Sequence, residues 1–268
     1  MPNASKAGFD TYWTSYGQGP RAGLMIHCSL ASCAAWGGLA RHLSGALTMT
    51  AFDMPGHGRS ADWDARGEIQ GVTTRIAGDF LDAPTDVIGH SFGATVALRL
   101  AAEQPEMVRT LTLIEPVFFA VAFADQPELA REHTGLMAGY EAAMTAGEHL
   151  EAAREFTGIW GEGAPFSTLT KAKQQELATR MPVVAAGNAA LHQDPGGLLQ
   201  PDRLARVAMP VLIVNGTESP PIVGAICEGL ERRLPDARRA IVAGAGHMAP
   251  LTHAGPVGAE ILQFLRRH

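Results

Sequence analysis

The chain has 268 residues, 46% of them hydrophobic, and a formal net charge of −6. This length and composition are typical of one large globular domain and exclude a disordered chain. Basic residues cluster only in adjacent pairs, so the sequence offers no positive stripe for a nucleic-acid backbone. No apolar run is long enough to span a bilayer. We therefore expect neither a nucleic acid nor a membrane among the partners.

The three cysteines, Cys28, Cys33 and Cys227, are widely spaced and odd in number. Such a set is typical of reduced thiols rather than of a disulfide framework. The first residues also lack the apolar core of a signal peptide. The expected location is cytoplasmic, and the expected role of the three thiols is packing in the core.

Short apolar and β-branched runs alternate with helical patterns along most of the chain, which predicts a mostly parallel, doubly wound α/β sheet with a site at the carboxyl ends of its strands. The predicted strands are residues 12–16, 23–28, 47–52, 86–89, 110–115, 211–215 and 239–242. The predicted helices are residues 33–43, 69–81, 93–103, 222–234 and 253–267.

The pattern changes between residues 117 and 200, where strand-like runs disappear and short helices are predicted. This predicts a core domain made of residues 1–116 and 201–268, with a helical insertion between its two parts. The predicted helices of the insertion are residues 127–134, 135–146, 149–156 and 171–180. Its histidines, His133, His149 and His192, are expected to be solvated. Six of its apolar or aromatic residues are candidates for lining an apolar pocket: Phe118, Phe119, Phe123, Met137, Tyr140 and Trp160. The alternative for each of them is packing of the insertion onto the core.

Residues 89–93 read Gly-His-Ser-Phe-Gly, a G-x-S-x-G pattern with Ser91 at its centre. A β-branched run, residues 85–88, precedes it, and a helical pattern, residues 94–102, follows it. A sharp strand-to-helix turn of this kind exposes the serine hydroxyl and directs the next amide, that of Phe92, towards a developing oxyanion. In this context the pattern predicts a nucleophilic serine.

Four further segments resemble motifs of a known family and follow one another along the chain in the order found in that family. Residues 24–30 (Leu-Met-Ile-His-Cys-Ser-Leu) resemble its oxyanion loop, and residues 53–60 (Asp-Met-Pro-Gly-His-Gly-Arg-Ser) its D-x-P-G-x-G-x-S loop. Residues 210–216 resemble its seventh strand, and residues 244–248 (Gly-Ala-Gly-His-Met) the loop of its catalytic histidine. Together with the G-x-S-x-G turn, these motifs identify the chain as similar to the α/β-hydrolase fold superfamily, in its serine-nucleophile branch. The resemblance implies a helical cap after the sixth strand.

The resemblance also implies roles for individual residues. Ser91 would attack a carbonyl carbon, and the amides of Phe92 and Ser29 would hold the oxyanion. His247 would act as general base, and the order serine, acid, histidine along the chain is the one expected for this fold.

The acid of the triad stays open between two carboxylates. Many family members carry aspartate three residues after the glycine at the end of the seventh strand, but counting from Gly216 places Ser219 there. Glu115 ends the predicted strand before the insertion, a position that some relatives use for a catalytic glutamate. Glu218 lies one residue before the usual slot. A structural carboxylate is the alternative for Glu115, and a solvated loop charge is the alternative for Glu218.

Cys28 departs from the family, in which glycine is usual beside the oxyanion position, and its side chain is expected to point into the core. His27 is expected to anchor the oxyanion loop, and His57 to brace the loop at residues 53–60. His90, beside the nucleophile, is expected to shape the pocket wall and contact substrate.

A serine nucleophile favours acyl chemistry: hydrolysis of an ester, thioester or lactone, or cleavage of a carbon–carbon bond next to a ketone. The helical cap favours a small, partly apolar substrate over a polymer. No phosphate-binding or metal-binding motif accompanies it, so no cofactor and no metal are expected. The alternative is a non-catalytic small-molecule receptor on the same fold. The missing aspartate and the altered oxyanion loop favour this second hypothesis.

Overall fold

The computed structural model describes residues 3–161 and 165–268. The strands are β1 (Asn3–Lys6), β2 (Phe9–Tyr16), β3 (Arg21–Ile26), β4 (Leu47–Phe52), β5 (Thr85–His90), β6 (Val108–Ile114), β7 (Val211–Gly216) and β8 (Ala237–Val242). They form one sheet in the order β1-β2-β4-β3-β5-β6-β7-β8, in which the β1–β2 and β2–β4 pairs are antiparallel and all the others are parallel. Each predicted strand is present. The sequence does not predict the short β1, because its four residues are mostly polar and largely exposed.

Helices cover both faces of the sheet, as the alternating pattern predicts. In β7, Val211 and Ile213 belong to one core layer, and Leu212 and Val214 to the other. This double burial explains the continuous apolar runs of the central strands. The helices that cover the sheet are α1 (Gly37–Leu43), α2 (Ile69–Gly78), α3 (Phe92–Glu103), α10 (Pro221–Arg233), α11 (Ala249–Thr252) and α12 (Ala254–Leu265).

Between β6 and β7 the described residues contain helices and no strands. Residues 117–200, called here the helical segment, have a small core of their own around Tyr140 and Met181. The predicted break near residue 135 is wrong, because one 20-residue helix runs to a left-handed cap at Gly147. A side chain at Gly135 would meet no atom within 4 Å, so this glycine does not interrupt the packing. The helices of the segment are α4 (Phe119–Asp125), α5 (Pro127–Ala146), α6 (His149–Trp160), α7 (Lys171–Thr179), α8 (Met181–Ala186) and α9 (Asn188–His192).

No helix within residues 3–161 and 165–268 is both long and apolar enough to cross a lipid bilayer.

The turn between β5 and α3 packs backbone against backbone. A Cβ atom at Gly93 would lie 2.2 Å from the carbonyl oxygen of Ile26 and 2.4 Å from that of His27. A Cβ atom at Gly89 would lie 2.4 Å from the carbonyl oxygen of Gly93. Only glycine allows this approach, which brings the start of α3 against the end of β3.

We expect Gly93→Ala to lower the free energy of unfolding by about 3 kcal/mol or more, because rigid backbone must move to admit the methyl group. The matched control is Gly135→Ala in the interior of α5, where a Cβ atom meets nothing within 4 Å. That variant should gain roughly 0.5–1 kcal/mol from helix propensity. Urea denaturation of both variants checks the pair, and equal effects would contradict the packing argument.

Candidate active site

Ser91 occupies the turn between β5 and α3 with φ 55° and ψ −119°, a strained conformation for a residue with a side chain. Its amide donates to the carbonyl oxygen of Ile114, at 2.9 Å, and its own carbonyl oxygen accepts from the amide of Ala94. These bonds hold the turn, and the hydroxyl faces a cavity. The backbone strain and the position of the serine at the cavity wall are the features of a nucleophile turn.

His247 lies between the serine and a carboxylate, in the loop after β8. Its Nε2 is 2.9 Å from Ser91 Oγ, and its Nδ1 is 3.4 Å from Glu115 Oε2. Because a carboxylate only accepts, Nδ1 carries the proton and Nε2 accepts from the serine hydroxyl. The Nδ1–Oε2 distance is longer than that of an ordinary hydrogen bond. In this tautomer, His247 can take the serine proton.

Glu115 follows β6 with a φ of 51°, and its side chain is fully buried. Its Oε1 accepts from the amide of Gly216, at 2.6 Å, and from the hydroxyl of Ser219, at 2.8 Å. These donors, both from the end of β7, compensate for the burial of the charge. They also orient the other carboxylate oxygen towards His247.

The second candidate carboxylate, Glu218, lies exposed on the loop after β7. Its amide donates to the carbonyl oxygen of Ala245, and its Oε1 accepts from the hydroxyl of Thr217, at 3.4 Å. Ser219, in the slot where many relatives carry aspartate, hydrogen-bonds Glu115. Of the two carboxylates, Glu115 is the one in contact with His247.

The candidate oxyanion donors are the amides of Phe92 and Ser29. Phe92 is the first residue of α3, so its amide has no acceptor within the helix. Ser29 follows β3 and lines the same cavity. Cys28, next to it, is buried, and burial raises the pKa of its thiol to about 12. The thiol therefore stays protonated, which makes it a poor nucleophile.

Comparison with known proteins shows the family of the chain. Residues 24–260 match the model of the alpha/beta hydrolase family. The chain belongs to the α/β-hydrolase family. A pimeloyl-[acyl-carrier protein] methyl ester esterase of Neisseria meningitidis serogroup B (strain MC58) is 30% identical over 232 residues, or 81% of this chain and 82% of that protein. The esterase of the same name from Nitrosomonas europaea is 27% identical over 244 residues, or 86% and 90% of the two chains.

The fold of the chain also matches the folds of solved structures. The crystal structure of Cfl2 from Burkholderia cenocepacia matches with a TM-score of 0.75 at 22% sequence identity, over 98% of this chain and 95% of that one. At this identity the likeness concerns the fold.

In this α/β-hydrolase, two buried histidines brace the loop after β3, which carries the candidate oxyanion donor Ser29. His27 Nε2 accepts from the amide of Met54, at 3.0 Å, and His57 Nε2 accepts from the amide of Leu30, at 3.1 Å. Each ring is thus neutral, with its proton on Nδ1 and directed to a backbone carbonyl oxygen, that of Cys28 or of Pro55. Burial lowers the pKa of His27 to about 4 and that of His57 to about 3. The pair ties the loop after β3 to the loop after β4.

A cavity of about 1280 Å³ opens above Ser91, between the sheet and the helical segment. Trp160 lines it and packs edge-on against His247, with the ring centroids 4.8 Å apart. Four of the six predicted lining residues of the segment are in its wall: Phe119, Met137, Tyr140 and Trp160.

Phe118 and His90, predicted to contact substrate, lie outside this lining. Phe118 is fully buried in the core. His90 is buried behind His247, and its Nε2 donates to the carbonyl oxygen of His247, at 2.8 Å. Burial lowers the pKa of His90 to about 3. His90 thus supports the loop of His247, and the prediction that it forms part of the pocket wall is wrong.

His133 is also a correction, because its side chain is only 4% exposed and lines the cavity, whereas it was predicted to be solvated. Residues 133, 137 and 140 recur at helical spacing and all line the cavity. This spacing is the signal that would have found His133, had residues 127–146 been recognised as one helix.

In the part of the chain that the structure describes, no three His, Cys, Asp or Glu side chains are grouped as metal ligands would be.

We expect Glu115→Gln to lower kcat by about 10⁴-fold, by analogy with the aspartate-to-asparagine change in serine proteases, because an amide cannot stabilise the imidazolium. Glu218→Gln is the matched control and should leave kcat nearly unchanged, since that side chain is exposed. Steady-state kinetics on an activated ester, with thermal unfolding of both variants, checks this. Equal, small losses would mean that neither carboxylate completes a triad.

Stability should fall as the pH is lowered from 7 to 5. The unfolded chain binds protons at histidine near pH 6.5, whereas folded His57 binds one only near pH 3. Protonation thus favours the unfolded state, and His57 alone accounts for about 2 kcal/mol over this interval. In urea denaturation at pH 7 and pH 5, the free energy of unfolding should fall less in His57→Gln than in wild type. The matched control, His149→Gln, should behave as wild type, and an unchanged loss in His57→Gln would contradict the assignment.

Proposed function

We propose that this α/β-hydrolase cleaves carboxylic esters of small, partly apolar molecules through an acyl-enzyme on Ser91. The observation that carries the proposal is the 2.9 Å contact between His247 Nε2 and Ser91 Oγ, with Glu115 at the opposite ring nitrogen. The two esterases described above, which match four fifths or more of the chain, support the choice of an ester within the wider class of acyl substrates.

The proposed reaction has two halves. Ser91 Oγ attacks the ester carbonyl carbon while His247 takes the hydroxyl proton, and the amides of Phe92 and Ser29 stabilise the oxyanion. The intermediate then collapses, and His247 gives its proton to the departing alkoxide, which leaves as the alcohol. In the second half, a water molecule attacks the acyl carbon while His247 takes one of its protons. His247 then gives this proton to Ser91 Oγ as the bond between the acyl carbon and Oγ breaks, which releases the acid and free Ser91.

Glu115 acts on the imidazole. When His247 becomes positively charged, the Glu115 carboxylate at its Nδ1 attracts the ring more strongly than it attracts the neutral imidazole of the resting enzyme. Removing this differential interaction raises the barrier without altering substrate binding.

Residues 117–200 form the cap in this proposal. Trp160 and Phe119 line the cavity from this segment, so the segment encloses the acyl or alcohol part of the substrate. The apolar character of these side chains favours a partly hydrocarbon ligand. A cytoplasmic location is part of the proposal, because all three cysteines are buried free thiols.

Intact-mass spectrometry after incubation with a fluorophosphonate tests the nucleophile. Wild type should gain one adduct, and Ser91→Ala none. Ser44→Ala, which changes a serine at the far end of α1, is the matched control and should label as wild type. Labelled enzyme should lose its turnover of p-nitrophenyl esters. Folded wild type that gains no adduct and cleaves no ester would overturn the proposal in favour of a small-molecule receptor.

A further inference from the structure

Two polar side chains of α5 line the cavity, and their buried polar atoms have no hydrogen-bond partner among the described residues. They are His133, 4% exposed, and Tyr140, 1% exposed. Neither ring nitrogen of His133 has a partner there, and neither does the hydroxyl of Tyr140. Buried polar groups in folded proteins are nearly always hydrogen-bonded, because leaving one unpaired costs about 1–3 kcal/mol. Because both side chains line a cavity, a bound molecule can supply their partners.

The two groups are arranged along one line of the cavity wall. His133, Met137 and Tyr140 share a face of α5, and the helical rise separates the first and last by about 10 Å. His133 lies next to Trp160, with 5.9 Å between ring centroids, and Trp160 contacts His247. One aromatic ring thus separates His133 from the catalytic imidazole. A substrate bound at Ser91 and extending along α5 would meet the two polar groups in turn.

Both groups are uncharged at neutral pH. Burial lowers the pKa of His133 to about 4, and the ring stacks on Phe119 with 4.4 Å between centroids. A neutral imidazole offers one donor and one acceptor. Burial also raises the pKa of the Tyr140 hydroxyl, which keeps its proton. His133 and Tyr140 therefore offer hydrogen bonds without charge, which suits a ketone, hydroxyl or amide rather than a carboxylate.

We propose that His133 and Tyr140 form a recognition site for an uncharged hydrogen-bonding group, of which a ketone is the simplest, carried by the substrate away from its scissile ester. This inference rests on the proposed esterase function and narrows its substrate class. A plain hydrocarbon chain would leave the buried polar groups unpaired, whereas a chain with a carbonyl oxygen in reach would satisfy at least one of them. Such a site discriminates strongly against the analogue that lacks the polar group.

Matched ester pairs test the site. The p-nitrophenyl esters of 4-oxopentanoate, 5-oxohexanoate and 6-oxoheptanoate are compared with those of pentanoate, hexanoate and heptanoate. In wild type, at least one oxo ester should exceed its alkyl match in kcat/KM by about 10-fold. Tyr140→Phe or His133→Phe should bring that ratio close to one, because the oxo ester loses more in kcat/KM than its alkyl match.

Met137→Leu is the matched control, because this residue lies on the same face of α5 between the two polar groups and makes no hydrogen bond with its side chain. It should preserve the ratio of oxo to alkyl ester. Absence of any oxo preference in wild type would overturn the inference, and so would variants that lower both members of a pair equally.

A binding measurement separates this inference from the proposed function. Calorimetric titration of Ser91→Ala with the methyl esters of the same acids needs no turnover. Tighter binding of an oxo ester, lost in Ser91→Ala/Tyr140→Phe or in Ser91→Ala/His133→Phe, would support the recognition site even if wild type cleaved no ester. Ester cleavage without any oxo preference, in turnover and in binding, would leave the proposed function standing and refute the site.

Discussion

The site depends on the close backbone contact between the first turn of α3 and the end of β3. No side chain fits between Gly93 and the carbonyl oxygens of Ile26 and His27. The contact sets how far the serine turn lies from the oxyanion loop, and β3 and β5 are paired up to Ile26 and Gly89, so the sheet holds the same register. The nucleophile and the two candidate donor amides are therefore fixed by backbone packing, which changes little with side-chain motion.

In a parallel sheet, the carboxylate that contacts the histidine can come from either of two neighbouring strands. β6 and β7 are neighbours, and neighbouring strands lie about 4.8 Å apart, so a carboxylate from either carboxyl end can reach the same imidazole nitrogen. In this chain Glu115 comes from β6, while Gly216 and Ser219 from the end of β7 donate to it. Ser219, in the slot where many relatives carry aspartate, is thus a hydrogen-bond partner of Glu115. The altered strand-7 motif, which favoured a receptor when only the sequence was considered, is compatible with a complete triad geometry.

The sequence was sufficient for the fold and for the proximity of Ser91 and His247, because motif order and strand–helix alternation carry that information. It left the acid open, because the positive φ of Glu115 and the direction of its side chain depend on the end of β7, far away in sequence. The exposure of His133 was predicted wrongly for a related reason. Residues 127–146 were interpreted as two short helices, and a histidine on a short surface helix is expected in solvent. Only the continuous α5, packed over the cavity, buries it.

The neutral histidines around the site have an electrostatic consequence for the proposed mechanism. The ring of His90 lies 5.4 Å from that of His247, and a positive charge on it would oppose the imidazolium by about 3 kcal/mol at an effective dielectric constant of 20. Because burial keeps the pKa of His90 near 3, the ring is uncharged at neutral pH and acts only as a hydrogen-bond donor to the His247 backbone. The neutrality of His27 and His57 follows from the same burial. The positive charge that develops on His247 therefore meets the Glu115 carboxylate without competing imidazolium charges from these three neighbours, which is the electrostatic arrangement that proton transfer from Ser91 requires.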